Sequence, residues 1–204
     1  MLSMKVVSYN ARGLGGGEKR VEIRRLVNEK YLFVLCIQET KMSVIDDWFI
    51  KSIWGDTPNG FSYQPSMGAS GGLVTVWDST CVDVWCSVSF GHTLIIKGTV
   101  IQTGEQFFIV NVYAPCELVV KRALWERLTV FVNNNNDICL CVCGDFNYVR
   151  SIEERKGRGS GFRQVDADCF NKFISLLISK QRGRGGQVCL VFLSDNSPLV
   201  KRVT

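Results

Sequence analysis

The segment ICLCVCGDFN, residues 138–147, is the stretch that decides the fold class of this chain. It is a continuous apolar run that stops abruptly at two polar side chains, Asp145 and Asn147. Continuous apolar runs of this length are typical of strands that are buried on both faces of a layered protein. The segment therefore predicts a buried strand that presents a carboxylate and a carboxamide at its end.

Three cysteines, Cys139, Cys141 and Cys143, alternate along this segment. Alternation places them on one face of the strand. A structural zinc site would need a CxxC-type turn, which is absent, so core packing is the better interpretation. The chain has nine cysteines in all, an odd number that favours reduced thiols over a disulfide framework.

Other apolar runs end in the same chemistry. They are KVVSYN with Asn10, FVLCIQET with Glu39, and FFIVNVYAP with Asn111, Tyr113 and Pro115. Taken singly, such a residue is more often a turn residue or a helix cap than a ligand. Taken together, hard oxygen ligands at the ends of several strands suit Mg²⁺, which uses one or two carboxylates and keeps several waters.

The remaining periodicities predict helices and hairpins around these strands. Antiparallel strands with hairpin spacing are expected between residues 60 and 115. Amphipathic helices are expected at Glu18–Lys30, Ser43–Trp54, Glu117–Asn133 and Asp166–Ser179. Strand runs interleaved with helices predict an α/β or α+β layered domain.

Length and composition are those of one globular domain. The chain has 204 residues, of which 46% are hydrophobic and 21% charged. No apolar run is long enough to span a bilayer, and the N-terminus lacks the apolar core of a signal peptide. We therefore expect a monomeric, nuclear or cytoplasmic protein that is neither secreted nor membrane-bound.

Positive charge is concentrated in the last part of the chain. Residues 149–204 hold 11 Lys and Arg against 5 Asp and Glu, whereas residues 1–148 hold 13 against 14. A basic stretch near the candidate site suits a polyanion such as nucleic acid. A solvated tail explains the same composition equally well.

The order of these motifs resembles a known superfamily. YN, QET, NVYAP and GDFN resemble the ordered motifs of the endonuclease/exonuclease/phosphatase superfamily. SYNARGLG, CIQETK, SGGLVTVWD and GDFNYVRSIEERKG are most similar to the apurinic-type endonuclease domains of plant LINE (non-LTR) retrotransposons. The resemblance covers Met4 to Ile178. It implies a four-layered α/β (α+β) sandwich of two mixed, largely antiparallel β-sheets flanked by helices.

The resemblance also implies roles for individual residues. Glu39 and Asn10 are expected to bind Mg²⁺, or alternatively Mn²⁺, with Asp195 as a further candidate ligand. Tyr113, Asp145 and Asn147 are the expected catalytic residues, and the loop Gly13–Gly17 is expected near them. The expected nucleic-acid contacts are Arg12, Arg150, Arg155, Lys156, Arg158 and Arg163.

The chain departs from the family pattern near its C-terminus. The family ends in a strand with an Arg-Leu-Asp or Arg-Ile-Asp motif and then a Ser-Asp-His motif whose histidine is central to catalysis. Either LSDNSPLV carries Asn196 at the place of that histidine, or VCLVFLSDN is a degraded form of the segment around Arg-Leu-Asp and the terminal motif is lost. The chain's one histidine, His92, precedes the Tyr113 motif and is interpreted as a core or surface strand residue. We expect a family domain over residues 1–179 and an irregular basic tail over 180–204, within which VCLVFL is a candidate strand. The C-terminal part is accordingly expected to be truncated or degraded.

The expected function is therefore that of a Mg²⁺-dependent DNA endonuclease of retrotransposon origin, impaired by loss of the terminal histidine. The parent polyprotein would also have carried a reverse transcriptase. Two alternatives remain open, namely a nucleic-acid-binding remnant without catalysis and a phosphatase of the same superfamily.

Overall fold

The computed structural model describes residues 4–68, 70–135, 137–147, 164–181, 188–192 and 199–203. The elements in chain order are β1 (Met4–Asn10), α1 (Gly17–Lys30), β2 (Val34–Gln38), α2 (Asp47–Trp54), β3 (Asn59–Gln64), β4 (Leu73–Asp78), β5 (Val82–Phe90), β6 (Thr93–Val100), β7 (Gln106–Tyr113), α3 (Leu118–Asn134), β8 (Cys139–Asp145), α4 (Gln164–Gln181), β9 (Val188–Phe192) and β10 (Leu199–Val203).

The strands form two sheets with matching designs. The first sheet has the order β10-β1-β2-β4-β3, and the second has the order β5-β6-β7-β8-β9. Each sheet contains a central parallel pair, β1 with β2 and β7 with β8, next to antiparallel strands. A helix connects the strands of each pair, α1 in the first sheet and α3 in the second, because parallel strands need a crossover connection.

Three apolar clusters hold the layers together. The helices α1 and α2 pack on the outer face of the first sheet through residues such as Ile23 and Phe49. The helices α3 and α4 pack on the outer face of the second sheet through residues such as Trp125 and Phe173. The inner faces of the two sheets meet in a third cluster. The order helix, sheet, sheet, helix confirms the predicted four-layered sandwich.

The alternating cysteines lie where the pattern placed them. Cys141 and Cys143 are fully buried between the two sheets, and Cys139 packs against the same cluster. Their opposite neighbours, Leu140 and Val142, face the helices of the second outer layer. The prediction that β8 is buried on both faces is therefore confirmed.

The second helix is shorter than predicted. It begins at Asp47 and not at Ser43, because the side chain of Asp46 accepts a hydrogen bond from the backbone amide of Phe49 at 2.8 Å. A carboxylate in this N-cap position satisfies an amide that the first turn of a helix leaves without a partner.

The C-terminal stretch contains the candidate strand VCLVFL as β9 and a second strand, β10, that was not predicted. β9 pairs in parallel with β8, and β10 pairs antiparallel with β1. Each strand thus extends one sheet beyond its central parallel pair. The short apolar run Val188–Phe192 suits a neighbour of the buried strand β8.

Among the described helices, none combines the length and apolarity that crossing a bilayer requires.

Candidate functional site

The two parallel pairs end at a common place. Asn10 is in register with Gln38 at the ends of β1 and β2, and Tyr113 is in register with Asp145 at the ends of β7 and β8. The side-chain amide of Asn10 donates to Oδ2 of Asp145 at 2.5 Å. This bond joins the ends of the two sheets and brings the first and last predicted motifs into one site.

Asp145 is held through both of its carboxylate oxygens. Oδ2 accepts from Asn10, and Oδ1 accepts from the backbone amide of Asn147 at 2.8 Å. Asn147 has a φ of 46°, in the left-handed region that asparagine tolerates better than most residues. The side-chain amide of Asn147 donates to the carbonyl of Ala114 at 2.7 Å, and the backbone carbonyl of Asn147 accepts from the ammonium of Lys121. The GDFN turn is therefore fixed from three sides.

The glycine of this turn is required by close packing. Gly144 has a φ of 142°, and a Cβ atom there would lie 1.9 Å from the carbonyl oxygen of Val112. No side chain fits at that distance, so the backbones of β7 and β8 approach each other in a way that only glycine permits. This approach places Asp145 beside Tyr113.

Glu39 follows the end of β2 and is held differently. Its φ is 53°, and its side chain is 18% exposed. The only described cation near it is Lys41, whose ammonium lies 3.1 Å from Oε1. Its backbone carbonyl accepts from the amide of Gly13 at 2.7 Å, so the glycine-rich loop begins beside the site as expected. Among the described residues, only Oε1 of Glu39 has an ionic partner, so Oε2 is available to bind a cation.

Tyr113 lies near both carboxylates, whose charges act on its phenol. Burial raises the pKa of its phenol, and the negative charges of Glu39 and Asp145 raise it further, while a hydrogen bond with Asn147 opposes them. The phenol therefore stays neutral at physiological pH and can donate a hydrogen bond. A neutral donor among anions suits contact with an incoming oxyanion.

A buried polar network lies beneath these residues, and sequence reasoning missed it. Asn111 is not at a strand end but is fully buried within β7. Its carbonyl accepts from the amide of Gln38 at 2.7 Å, and its own amide reaches Thr75 and the carbonyl of Val74. Polar residues inside an apolar strand were the available signal, since buried polar groups need partners.

His92 does not lie in a strand. It occupies the turn between β5 and β6 and lines a cavity of about 450 Å³ together with Tyr113 and Asn147. Burial and the charge of Arg127 lower the pKa of its imidazole, while a hydrogen bond to the backbone of Tyr113 opposes them. The interpretation as a core or surface strand histidine is therefore wrong, because the turn carries the ring to the site.

The predicted nucleic-acid contacts are described only in part. Arg12 is exposed, and its backbone amide donates to Oδ1 of Asn10 at 3.0 Å, so it lies directly beside the site. The others, Arg150, Arg155, Lys156, Arg158 and Arg163, lie outside the described residues, as do Asp195 and Asn196.

The donor set is compatible with a hard divalent cation. Within the described ranges, no cluster of three or more His, Cys, Asp or Glu side chains could hold a metal. Mg²⁺ does not require such a cluster, because it uses one or two carboxylates and retains water. Glu39 would be the principal ligand, since its carboxylate has only the half-exposed Lys41 as an ionic partner among the described residues.

Comparison with known proteins identifies the family to which the chain belongs. Residues 7–180 match the model of the Endonuclease/Exonuclease/phosphatase family. The chain therefore belongs to that family. No curated protein matches it in sequence.

Solved structures share its fold at low sequence identity. AP endonuclease LMAP from Leishmania major aligns with a TM-score of 0.61 and 19% identity, over 85% of this chain and 66% of that chain. An AP endonuclease from Archaeoglobus fulgidus gives 0.64 and 14%, over 87% and 74%. The Xenopus laevis APE2 catalytic domain gives 0.63 and 15%, over 83% and 67%. This chain thus spans about two thirds of the length of the first of them.

Proposed function

We propose that the chain is a Mg²⁺-dependent phosphodiester hydrolase that acts on DNA. The observation that supports this most is the 2.5 Å contact between Asn10 and Asp145, which unites the ends of the two parallel strand pairs. Around that contact lie a carboxylate with free coordination capacity, Glu39, and a neutral phenol, Tyr113. Membership of the family and the AP endonucleases among its structural neighbours agree with a phosphodiester substrate.

Each residue has a role in this proposal. Bound beside Glu39 and Asn10, Mg²⁺ would polarise a phosphoryl oxygen and stabilise the leaving alkoxide. Asp145, fixed through both oxygens, orients the attacking water and accepts its proton. The phenol of Tyr113 and the amide of Asn147 donate to the phosphate oxygens as negative charge develops on them.

We further propose slow turnover. Asn196 stands where the resemblance predicts a histidine, and an amide cannot carry a proton as an imidazole does. Loss of one such group commonly costs on the order of 10²–10⁴ in rate. Replacing Asn196→His should therefore raise the rate of DNA nicking, and no gain would show that residue 196 does not occupy the histidine position.

The motif resemblance supports a more specific origin. We propose that the domain derives from a plant LINE retrotransposon and worked on DNA as a monomer in the nucleus or cytoplasm. Sequencing the genomic region that follows the codon of Thr204 tests the origin directly. Reverse-transcriptase coding sequence in any frame would support it, and unrelated sequence would count against it.

A plasmid-nicking assay tests the hydrolase proposal. The full chain should convert supercoiled plasmid to the nicked form with Mg²⁺ and not with EDTA, and Glu39→Ala should abolish the conversion. Glu105→Ala is a matched control, because Glu105 is exposed beside the N-terminal end of β7, opposite the site. Salt-sensitive DNA binding without nicking would favour a binding remnant, and phosphate release from small esters without nicking would favour a phosphatase.

A further inference from the structure

The outer face of the second sheet is covered over only part of its width. The helices α3 and α4 pack on β7 and β8 through residues such as Trp125 and Phe173. At the other side of the sheet, alternate residues of β5 are exposed on the same face, namely Cys86, Val88 and Phe90, and no described helix covers them. An apolar sheet face is normally packed against another element, so this layer has room for a third helix.

A groove of about 540 Å³ lies between this part of the sheet and α3. Its lining is almost entirely apolar, with Val88 and Phe90 from β5, Ile95 from β6, Phe108 from β7 and Val130 from α3. Val88, Phe90 and Val130 are 52%, 56% and 58% exposed. Large apolar side chains that are exposed together around a concave surface mark a site of association.

Both cations that line the groove lie against aromatic rings. The ammonium of Lys97 is 5.2 Å from the ring centroid of Phe108 and 5.8 Å from that of Trp85, and the guanidinium of Arg127 is 4.8 Å from that of Phe90. Among the described residues, neither cation has a carboxylate within ion-pair distance. Lys97 is only partly exposed, and a cation withdrawn from water is stabilised by an opposite charge.

The two cations lie toward opposite ends of the groove. Phe90, the ring beside Arg127, pairs with Thr93, whereas Lys97 pairs with Cys86. Thr93 and Lys97 are separated along β6 by about 13 Å, at roughly 3.3 Å per residue. A helix that lies along the groove covers this distance in about nine residues.

We propose that this groove binds an acidic amphipathic helix of a partner protein. The helix packs beside α3 and completes the outer layer, with its apolar stripe on Val88 and Ile95. A carboxylate near each end of the helix meets Arg127 and Lys97. Glu126 is the one acidic residue among the described lining residues, so positive charge predominates.

The same features disfavour other occupants. Between Arg127 and Lys97 the lining is apolar and offers no further cation to a phosphate backbone. Two copies of the chain that met through this groove in a two-fold dimer would bring the same positive charges together. The groove shares no lining residue with the cavity beside Tyr113, so the inference does not depend on the proposed function.

Stapled helical peptides test the charge preference. Each probe is a fluorescein-labelled amphipathic helix of about three turns with leucine along one face. The acidic probe has glutamate at both ends of that face, and the basic probe has lysine there. We expect the full chain to bind the acidic probe about tenfold more tightly, because two partly exposed ion pairs replace two like-charge contacts. Fluorescence polarisation measures both affinities.

Two cysteines report where the acidic probe binds. Cys86 and Cys116 are both exposed, but only Cys86 lines the groove. At a probe concentration of about ten times Kd, alkylation of Cys86 by iodoacetamide should slow about tenfold. The rate at Cys116 should stay unchanged. Mass spectrometry of the digested chain measures the two rates separately.

Substitutions at exposed positions of α3 test the same surface. Val130→Glu places a negative charge in the groove and should weaken the acidic probe about tenfold. Val119→Glu is the matched control, because Val119 is exposed on the same helix outside the groove. Arg127→Glu should weaken the acidic probe and strengthen the basic probe, each by about threefold. Circular dichroism checks that each variant is folded.

Several outcomes would overturn the proposal. They are equal affinity for the acidic and basic probes, equal affinity for a scrambled acidic probe that lacks the apolar stripe, unchanged alkylation of Cys86, and equal effects of Val130→Glu and Val119→Glu. A Cys86 that is unreactive in the free chain would show that the chain itself covers the groove. Self-association that Val130→Glu abolishes would assign the groove to a second copy, and protection of Cys86 by single-stranded DNA would assign it to nucleic acid.

Discussion

The two sheets contribute equivalent strand ends to the site but hold their carboxylates in different ways. In the second sheet, Asp145 accepts hydrogen bonds through both oxygens, from Asn10 and from the backbone of Asn147. In the first sheet, Glu39 has an ion pair with Lys41 that is partly open to solvent. The Lys41 side chain is 41% exposed, and an ion pair with one partner this open to solvent contributes little, about 0–1 kcal/mol.

Because of this difference, the two carboxylates have different roles in the same site. The carboxylate of the second sheet is both part of the structure and part of the chemistry, because it ties the two sheets together. The carboxylate of the first sheet can give up its partner to a cation at little cost. Substitutions on the two sides should therefore differ in what they damage.

The largest effect is expected from Asp145→Asn. The new amide would direct donors at the side chain of Asn10 or the backbone amide of Asn147, which are donors themselves. We expect the nicking rate to fall on the order of 10²–10⁴ and the free energy of unfolding to fall by about 1–3 kcal/mol. Plasmid nicking and urea denaturation measure the two effects, and unchanged stability would contradict the structural role.

Glu39→Gln should be the counterpart that loses activity alone. The neutral amide weakens Mg²⁺ binding, and we expect a loss of roughly 10² in rate. The free energy of unfolding should fall by no more than about 1 kcal/mol, because the one described ionic partner that is lost is the half-exposed Lys41. A rate that recovers as the Mg²⁺ concentration rises would support the ligand role, whereas destabilisation as large as that of Asp145→Asn would remove the contrast.

The second tie between the sheets lies beneath the site. Asn111→Leu removes the acceptor of Gln38 and the donor that reaches Val74 and Thr75. We expect a loss of about 1–3 kcal/mol in the free energy of unfolding, because buried polar groups are left without partners. Asn133→Leu, on the exposed side of α3, is the control and should be nearly neutral.

The smallest effect concerns pH and His92. Burial lowers the pKa of this imidazole from its ordinary value of 6.5, so the unfolded chain takes up a proton more readily than the folded chain. Stability that is present at pH 7 should therefore decline as the pH falls below about 6.5 toward the lower folded pKa. His92→Gln should flatten this decline in the melting temperature between pH 7.5 and 5.5, and an unchanged slope would assign it to carboxylates.

The polar residues at the strand ends could be predicted from the sequence, because each of them interrupts an apolar run. The motif order was sufficient to place Asn10, Tyr113 and Asp145 together, and the structure joins Asn10 and Asp145 directly. Helix limits were less accurate where a capping side chain decided them, as Asp46 does for α2. Of the two described strands within residues 180–204, VCLVFL was predicted and is β9, whereas β10 was missed because its short, partly charged segment acquires its conformation from the sheet edge it joins.

His92 and Gln64 show the limit of such reasoning. Neither has a distinctive neighbour in the sequence, and both line the cavity beside Tyr113 only because the end of β3 meets the turn between β5 and β6 there. The partner of Gln64 is the carbonyl of Gly91, which is a tertiary contact that no local pattern encodes. Residues that line a cavity between loops are therefore the part of a site that sequence patterns predict least.

The bond between Asn10 and Asp145 also constrains the order in which the chain can fold. The two residues are 135 positions apart, so closing this contact carries a large loop-closure entropy. Contacts between distant positions form slowly, whereas each parallel pair joins nearby positions, Val6 with Val34 and Phe107 with Cys139, so both pairs can assemble before the sheets dock. Refolding should therefore restore helical and strand signals before it restores a competent site, so the rate of reactivation reports the docking of one sheet on the other.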